Sequence, residues 1–230
     1  MNEEILNPTI FLGSLEIREP MTTLTDLIFA AVGFWAYYQF SKQVPRSGRS
    51  HFFFMNYFLF MGIGMTAAGI FGHGLQAYVG WDAKTIGWTI TSVAFLLLQK
   101  GVLRMLWGKI NNAWFWIFNT AFIVQIVLYW ILLAMPETRL FKTAQLSTTV
   151  SLIFWVTPLC LYAFFQKINP KSLGIVLAIV FAGIPALVFN TQFSLSQWFN
   201  YHDISHVLSA AYLFLMYRGT RQVAEFQAAN

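Results

Sequence analysis

Seven apolar runs, most of them near twenty residues long, leave this chain few options. They cover about residues 22–40, 52–78, 85–106, 114–133, 146–165, 173–189 and 201–217. About twenty apolar residues in a helix span the hydrocarbon core of a bilayer, roughly 30 Å. Within that core the backbone must satisfy its own hydrogen bonds, so only helices and closed barrels cross it. The runs are far too long for barrel strands. Charged residues make up only 10% of the 230, against about 25% in a water-soluble domain. The expectation is an all-α integral membrane protein, a seven-transmembrane-helix bundle over residues 1–230 as a single domain. The connections are short, and no linker, repeat or low-complexity tract separates a second unit.

The run at 52–78 is rich in glycine (Gly62, Gly64, Gly69, Gly72, Gly74). Small residues let neighbouring helices approach it closely. Gly183 and Pro185 in the sixth run predict a kink there. Glu19-Pro20 precedes the first run, where proline suits the first helical turn and an acid suits a helix N-terminus.

The net charge of +5 does not indicate nucleic acid, because the basic residues sit in short loops between apolar runs. They report topology. Lys42, Arg46, Arg49, Lys100, Arg104, Lys109, Lys167, Lys171, Arg218 and Arg221 fall on one side, ten of the fourteen basic residues. That side is expected to be cytoplasmic. With seven helices the N-terminus then lies outside and the C-terminus inside. Residues 1–18 carry acids but no basic segment before an apolar core, and do not read as a cleaved signal peptide. The lone cysteine, Cys160, lies in an apolar run, which excludes an internal disulfide and makes a cysteine metal site a poor fit.

Ionisable groups inside membrane helices are costly and point to function. His202 and His206 are four residues apart at the start of the last run, so both rings leave one helix face. His73 lies toward the outer end of the second run. Asp26 lies two turns after Glu19 on the same face of the first run, and Asp82 just before the third. All map to the outer half of the bundle, while His51 maps to the inner side. Three histidines at one depth match a zinc site with an open position for water. The same residues also suit interhelical hydrogen bonding or a proton relay. Glu19 and Asp26 suit helix capping and dipole roles, and Asp203 is expected to face the loop or headgroup layer.

Three short motifs resemble the CREST superfamily of membrane hydrolases. Tyr201-His202-Asp203-Ile204-Ser205-His206-Val207-Leu208-Ser209 is similar to its seventh-helix signature, His-x-x-x-His followed in alkaline ceramidases by Ile-Leu-Thr-Gly. Glu19-Pro20-Met21-Thr22-Thr23-Leu24-Thr25-Asp26-Leu27 resembles the ceramidase pattern of Glu, then Asn-Thr, then Ser-Asn-Leu. Phe71-Gly72-His73-Gly74-Leu75 with Asp82 resembles the helix-two histidine and the aspartate after it. Adiponectin-receptor-like and haemolysin-III-like proteins share the plan, and the N-out orientation resembles the ceramidase arrangement. The resemblance implies zinc held by His73, His202 and His206, with Asp82 as the catalytic base and then acid. Glu19, Asp26, Thr66 and Ser209 would line the site or its polar surroundings. The implied reaction is hydrolysis of a lipid amide taken from the membrane.

The chain departs from the family where the oxyanion is stabilised. The family has serine four residues before the helix-two histidine, and here that position is Gly69. Losing one such donor costs about a hundredfold or more in rate. Thr66, one turn back, is the substitute within reach. Of the ceramidases' N-terminal calcium motif only Glu19 matches, with Glu16 as a second acid, so calcium stands as a further cofactor. Two rival readings stay open: a non-catalytic sensor with structural zinc, and a small transporter or proton relay. A membrane lipid is the expected substrate or ligand, and the bacterial inner membrane the expected location.

Overall fold

The computed structural model describes residues 8–230. The first seven positions of the stretch read above as lacking a signal peptide lie outside the described residues. From there the chain forms a β-hairpin and then seven long helices. The hairpin pairs β1 (Thr9–Leu12) with β2 (Leu15–Arg18) antiparallel, Thr9 opposite Arg18 and Leu12 opposite Leu15. Gly13 takes φ 64° in the two-residue turn, a backbone region that glycine enters at little cost. The apolar runs do not forecast this hairpin. Its strands are four residues long, and its apolar side chains do not stand out in a chain that is 57% apolar.

The helices are α1 (Pro20–Gln43), α2 (His51–Gly74), α3 (Trp81–Met105), α4 (Asn112–Ala134), α5 (Phe141–Phe165), α6 (Pro170–Thr191) and α7 (Tyr201–Ala229). Five of them, α2 to α6, are long and apolar enough to cross a membrane. That is compatible with a multi-pass membrane protein. The remaining two, α1 and α7, carry more polar residues and pack against each other between α2 and α6. The second helix ends at Gly74 rather than running to 78, because Leu75 leaves helical geometry and a single turn, Gln76–Val79, follows. The last helix runs twelve residues past 217. Beyond Tyr217 it is amphipathic, burying Gly219, Thr220, Val223 and Ala224 while Arg218 stays exposed. A search for continuous apolar length cannot see such a helix. The sixth helix continues through Pro185.

In the bundle α2 packs on α1 and α3, α7 on α1 and α6, and α5 on α3 and α6; α4 lies outside, against α3 and α5. Accordingly α4 buries only Phe115, Phe122, Ile126, Tyr129 and Leu133, one stripe at helical spacing. Its other face shows Trp114, Trp116, Ile117, Val124, Leu128 and Ile131, all exposed. Such a continuous apolar face suits lipid and not water. Phe40, Phe54, Tyr57, Phe58, Leu98, Leu213 and Met216 form the packed centre, and the Tyr57 and Tyr212 hydroxyls share a hydrogen bond of 3.2 Å.

Backbone contact needs glycine at two helix crossings. A Cβ on Gly219 would lie 2.7 Å from the carbonyl carbon of Gly174, and one on Gly33 would lie 2.9 Å from the amide nitrogen of Gly62. The last turns of α2, Ala68–Gly74, are π-helical, closed by Leu75 N–H donating to Ile70 C=O at 2.7 Å. A π segment inserts extra backbone into a helix and is frequent at functional sites. Here it carries His73.

Candidate functional site

At the hairpin end of the bundle, α1, α2, α3 and α7 bring together a buried set of histidines and carboxylates. Glu19 stands just before α1 with φ 47°, a left-handed conformation that costs a non-glycine residue roughly 1–2 kcal/mol. Pro20 behind it disfavours the right-handed helical region. The Glu19 amide donates to Pro8 C=O at 3.2 Å, so the hairpin helps fix this geometry. The carboxylate then meets two partners: it accepts a short hydrogen bond from His73 Nδ1, and its other oxygen lies 3.6 Å from Lys84 Nζ. Burial pushes the Glu19 carboxyl upward. The His73 hydrogen bond and the charges of His73 and Lys84 outweigh this and hold it at about 2.

Asp26, two turns further along α1, is fully buried. Its Oδ1 lies 3.0 Å from His206 Nδ1 and its Oδ2 lies 3.7 Å from His73 Nε2. Neither oxygen has a donor aligned for a hydrogen bond. Asp26 therefore bridges α2 and α7 by proximity and charge. Thr25 Oγ stands 3.5 Å from His206 Nδ1. The His73 and His206 rings are 6.2 Å apart between centres, and His202 and His206 are 6.4 Å apart. His202 is half-buried and packs on Tyr201 and Phe189.

Gly69 explains how Asp26 fits. A Cβ at 69 would lie 2.9 Å from Asp26 Cβ and 3.1 Å from Thr23 C=O. The absent side chain is what lets α1 press its aspartate into the cluster. The position that carries serine in the ceramidase pattern is closed off by Asp26 Cβ and the Thr23 backbone of the neighbouring helix, with Asp26 Oδ2 at 3.8 Å.

Two expected site residues lie elsewhere. Asp82 is 71% exposed, and its Oδ2 pairs with Arg139 Nη1 at 3.0 Å. The turn at Trp81–Ala83 aims it toward the loop after α4 instead of toward the histidines. Thr66 donates to Gly62 C=O of its own helix at 2.8 Å, so its proton is committed within α2. Ser209 lies half-buried on α7, three residues beyond His206. His51 is buried far away against the Phe40 ring. Glu16, the second acid considered for calcium, pairs with Arg18 across 2.9 Å on the hairpin.

Asp203 is a correction in the other direction. It is fully buried, accepts from Thr22 Oγ at 2.8 Å, and closes a reciprocal cap with Asn200 at the start of α7. Asn200 followed by Asp203 three residues on was the signal available in the sequence. Lys84, the cation beside Glu19, had no such signal, because only folding brings α3 to α1.

Three imidazoles and a buried carboxylate lacking aligned donors are the chemistry a divalent cation would answer. Glu19 on the far nitrogen of His73 also fits, since metal-bound histidines commonly donate their other N–H to a carboxylate. Among the described residues, no group of three or more His, Cys, Asp or Glu side chains is arranged to hold a metal ion. The donor types fit zinc, while their spacing is that of a carboxylate-bridged histidine pair.

Comparison with known proteins places the chain by family alone. The model of one family, described as a family of unknown function (DUF6962), matches residues 21–225. No curated protein and no solved structure matches the chain.

Proposed function

The chain therefore belongs to this family, DUF6962, and we propose that it is a seven-span membrane hydrolase acting on a lipid amide, with its working groups in the His73–Asp26–His206 cluster. The observation that carries this reading is Asp26. It is buried, lies between the imidazoles of two helices, and occupies the space opened by Gly69. The proposal counts α1 and α7 as spans beside the five apolar helices, because they pack inside the same bundle. The proposal takes the orientation from the basic loops, with the N-terminus outside and the C-terminus in the cytoplasm, and takes the bacterial inner membrane as the location from the short loops of the chain.

The family resemblance assigns zinc to His73, His202 and His206, which would have to draw closer together than they stand among the described residues to share one ion; bound there, zinc would supply a water acidified to a pKa of roughly 7 and a polarised carbonyl. The rest falls to the chain's own residues. Glu19 accepts the Nδ1 proton of His73 and so fixes the ring with Nε2 toward the cluster. Asp26 takes the proton from water and returns it to the departing amine, the role that the family resemblance assigns to Asp82. The Thr25 hydroxyl orients His206.

The test uses the purified full chain. It should contain about one zinc per chain, lost in His202→Ala and His206→Ala, and should release fatty acid from an N-acyl lipid panel. Asp26→Asn should lower that release by at least about a hundredfold, while Asp82→Asn stays within about twofold of wild type. Absence of both zinc and acid release sinks the reading.

A second reading, a proton relay, is favoured by the carboxylate bridge between His73 and His206. Reconstituted vesicles carrying a pH-sensitive dye separate the two. Proton flux that Asp26→Asn abolishes, in metal-free protein, selects the relay.

A further inference from the structure

The histidine cluster leaves the other end of the bundle unexplained. There α2, α3 and α4 enclose a cavity of about 80 Å³ lined by Phe53, Lys100, Leu103, Arg104, Phe115 and Asn119. Lys100 and Arg104 are one turn apart on α3, so both reach it from one face. Lys100 Nζ donates to Asn119 Oδ1 at 2.8 Å. The Arg104 guanidinium carbon lies 4.9 Å from the Trp107 ring centre, 5.5 Å from Phe115 and 5.9 Å from Phe53.

Among the described residues no carboxylate pairs with either cation. The one acid expected at this end, Glu225, is held by Arg221 at 2.7 Å. Two like charges one turn apart repel, and both are half-buried among aromatic rings. The rings stabilise the guanidinium but leave a charge of two uncompensated. An anion in the cavity would complete the site. In this measure one water needs only about 10–15 Å³, so the cavity takes several water-sized groups, as the oxygens of a phosphate are. A planar fork, a point cation and an amide together match phosphate oxygens. Trp114 and Trp116 are exposed on the adjoining face of α4. Tryptophan marks the depth at which lipid headgroups lie, and basic pockets between helices at that depth take anionic headgroups.

We propose that the Lys100–Arg104–Asn119 cavity is a phosphate-binding site for the headgroup of an anionic phospholipid. The site is independent of the chemistry at the opposite end and does not rely on it.

The experiment is native mass spectrometry and thermal unfolding of the full chain in detergent, with phosphatidylglycerol, phosphatidylcholine or inorganic phosphate added. Phosphatidylglycerol should bind and raise the unfolding temperature, and phosphatidylcholine should do so far less. The double variant Lys100→Gln/Arg104→Gln should weaken phosphatidylglycerol binding at least about tenfold. Lys109→Gln, an exposed cation at the same end, should leave it unchanged. Asn119→Leu obstructs the cavity from α4 without altering charge, and carries the test if the double variant does not fold. Inorganic phosphate alone protecting wild type but not the variants, with the two lipids equal, would keep the phosphate site and overturn the lipid as its source. Equal phosphatidylglycerol binding by wild type, the double variant and Asn119→Leu would overturn the proposal.

Discussion

At Gly69 a single missing side chain decides what the cluster is made of. The sequence presents this glycine as a loss, a position where an oxyanion donor is absent. The structure shows it as an allowance for Asp26, whose Cβ would be 2.9 Å from any Cβ placed there. Gly69→Ser, which installs the serine of the ceramidase pattern, should therefore lower function and not raise it. It should destabilise the protein by about 1–3 kcal/mol through overpacking and displace Asp26 from His206. Denaturant unfolding in mild detergent measures the first effect, and the acid-release or proton-flux assay the second. A serine variant as stable as wild type and more active would show that Asp26 is not the group this site depends on.

Helix starts, more than helix middles, hold the site together. The first turns of α1 and α7 meet through Thr22 and Asp203, and the same Asp203 caps α7 with Asn200. Asn200 and the short loop before α7 thus set the height of His202 and His206 against α1. Thr22→Val keeps the shape of the side chain but leaves a buried carboxylate oxygen without its donor. The expected cost is about 1.5–3 kcal/mol, as for a hydrogen bond to a charged group, read as a shift in unfolding midpoint. Val at position 23 is the useful contrast. Thr23 donates to the backbone one turn before it, at Glu19 C=O, and not to α7, so Thr23→Val should cost less than about 1 kcal/mol. Equal losses at both positions would mean that the α1–α7 link is not special.

For the whole molecule the question is which helices cross the membrane and in which sense. Five satisfy length and apolarity alone, and the other two take their place in the bundle by packing. Cysteine labelling tests the seven-span reading directly, because native Cys160 is fully buried and should stay silent. Ser194→Cys, in the loop between α6 and α7, should label from the outside of intact cells. Ser47→Cys, in the loop between α1 and α2, should label only after permeabilisation. Ser14→Cys, on the exposed hairpin turn before α1, should label with Ser194→Cys, and Asn230→Cys, after α7, with Ser47→Cys. Ser14→Cys labelling from the side of Ser47→Cys would remove α1 from the spans, Asn230→Cys labelling from the side of Ser194→Cys would remove α7, and all four in the reverse sense would invert the orientation.

The long helices and the polar residues worth attention were legible in the sequence because a bilayer imposes length and penalises charge locally. Each run of apolar residues, and each histidine or carboxylate within one, is costly or favourable whatever its neighbours are. The grouping of His73, His202 and His206 at one depth followed from helix count and direction. The partners did not follow. Whether Asp82 or Asp26 faces the histidines depends on how a turn at Trp81–Ala83 is aimed and on how closely α1 approaches Gly69. Those are sub-ångström matters of backbone contact between segments distant in sequence. No residue carries them by itself, and only the packed bundle decides them.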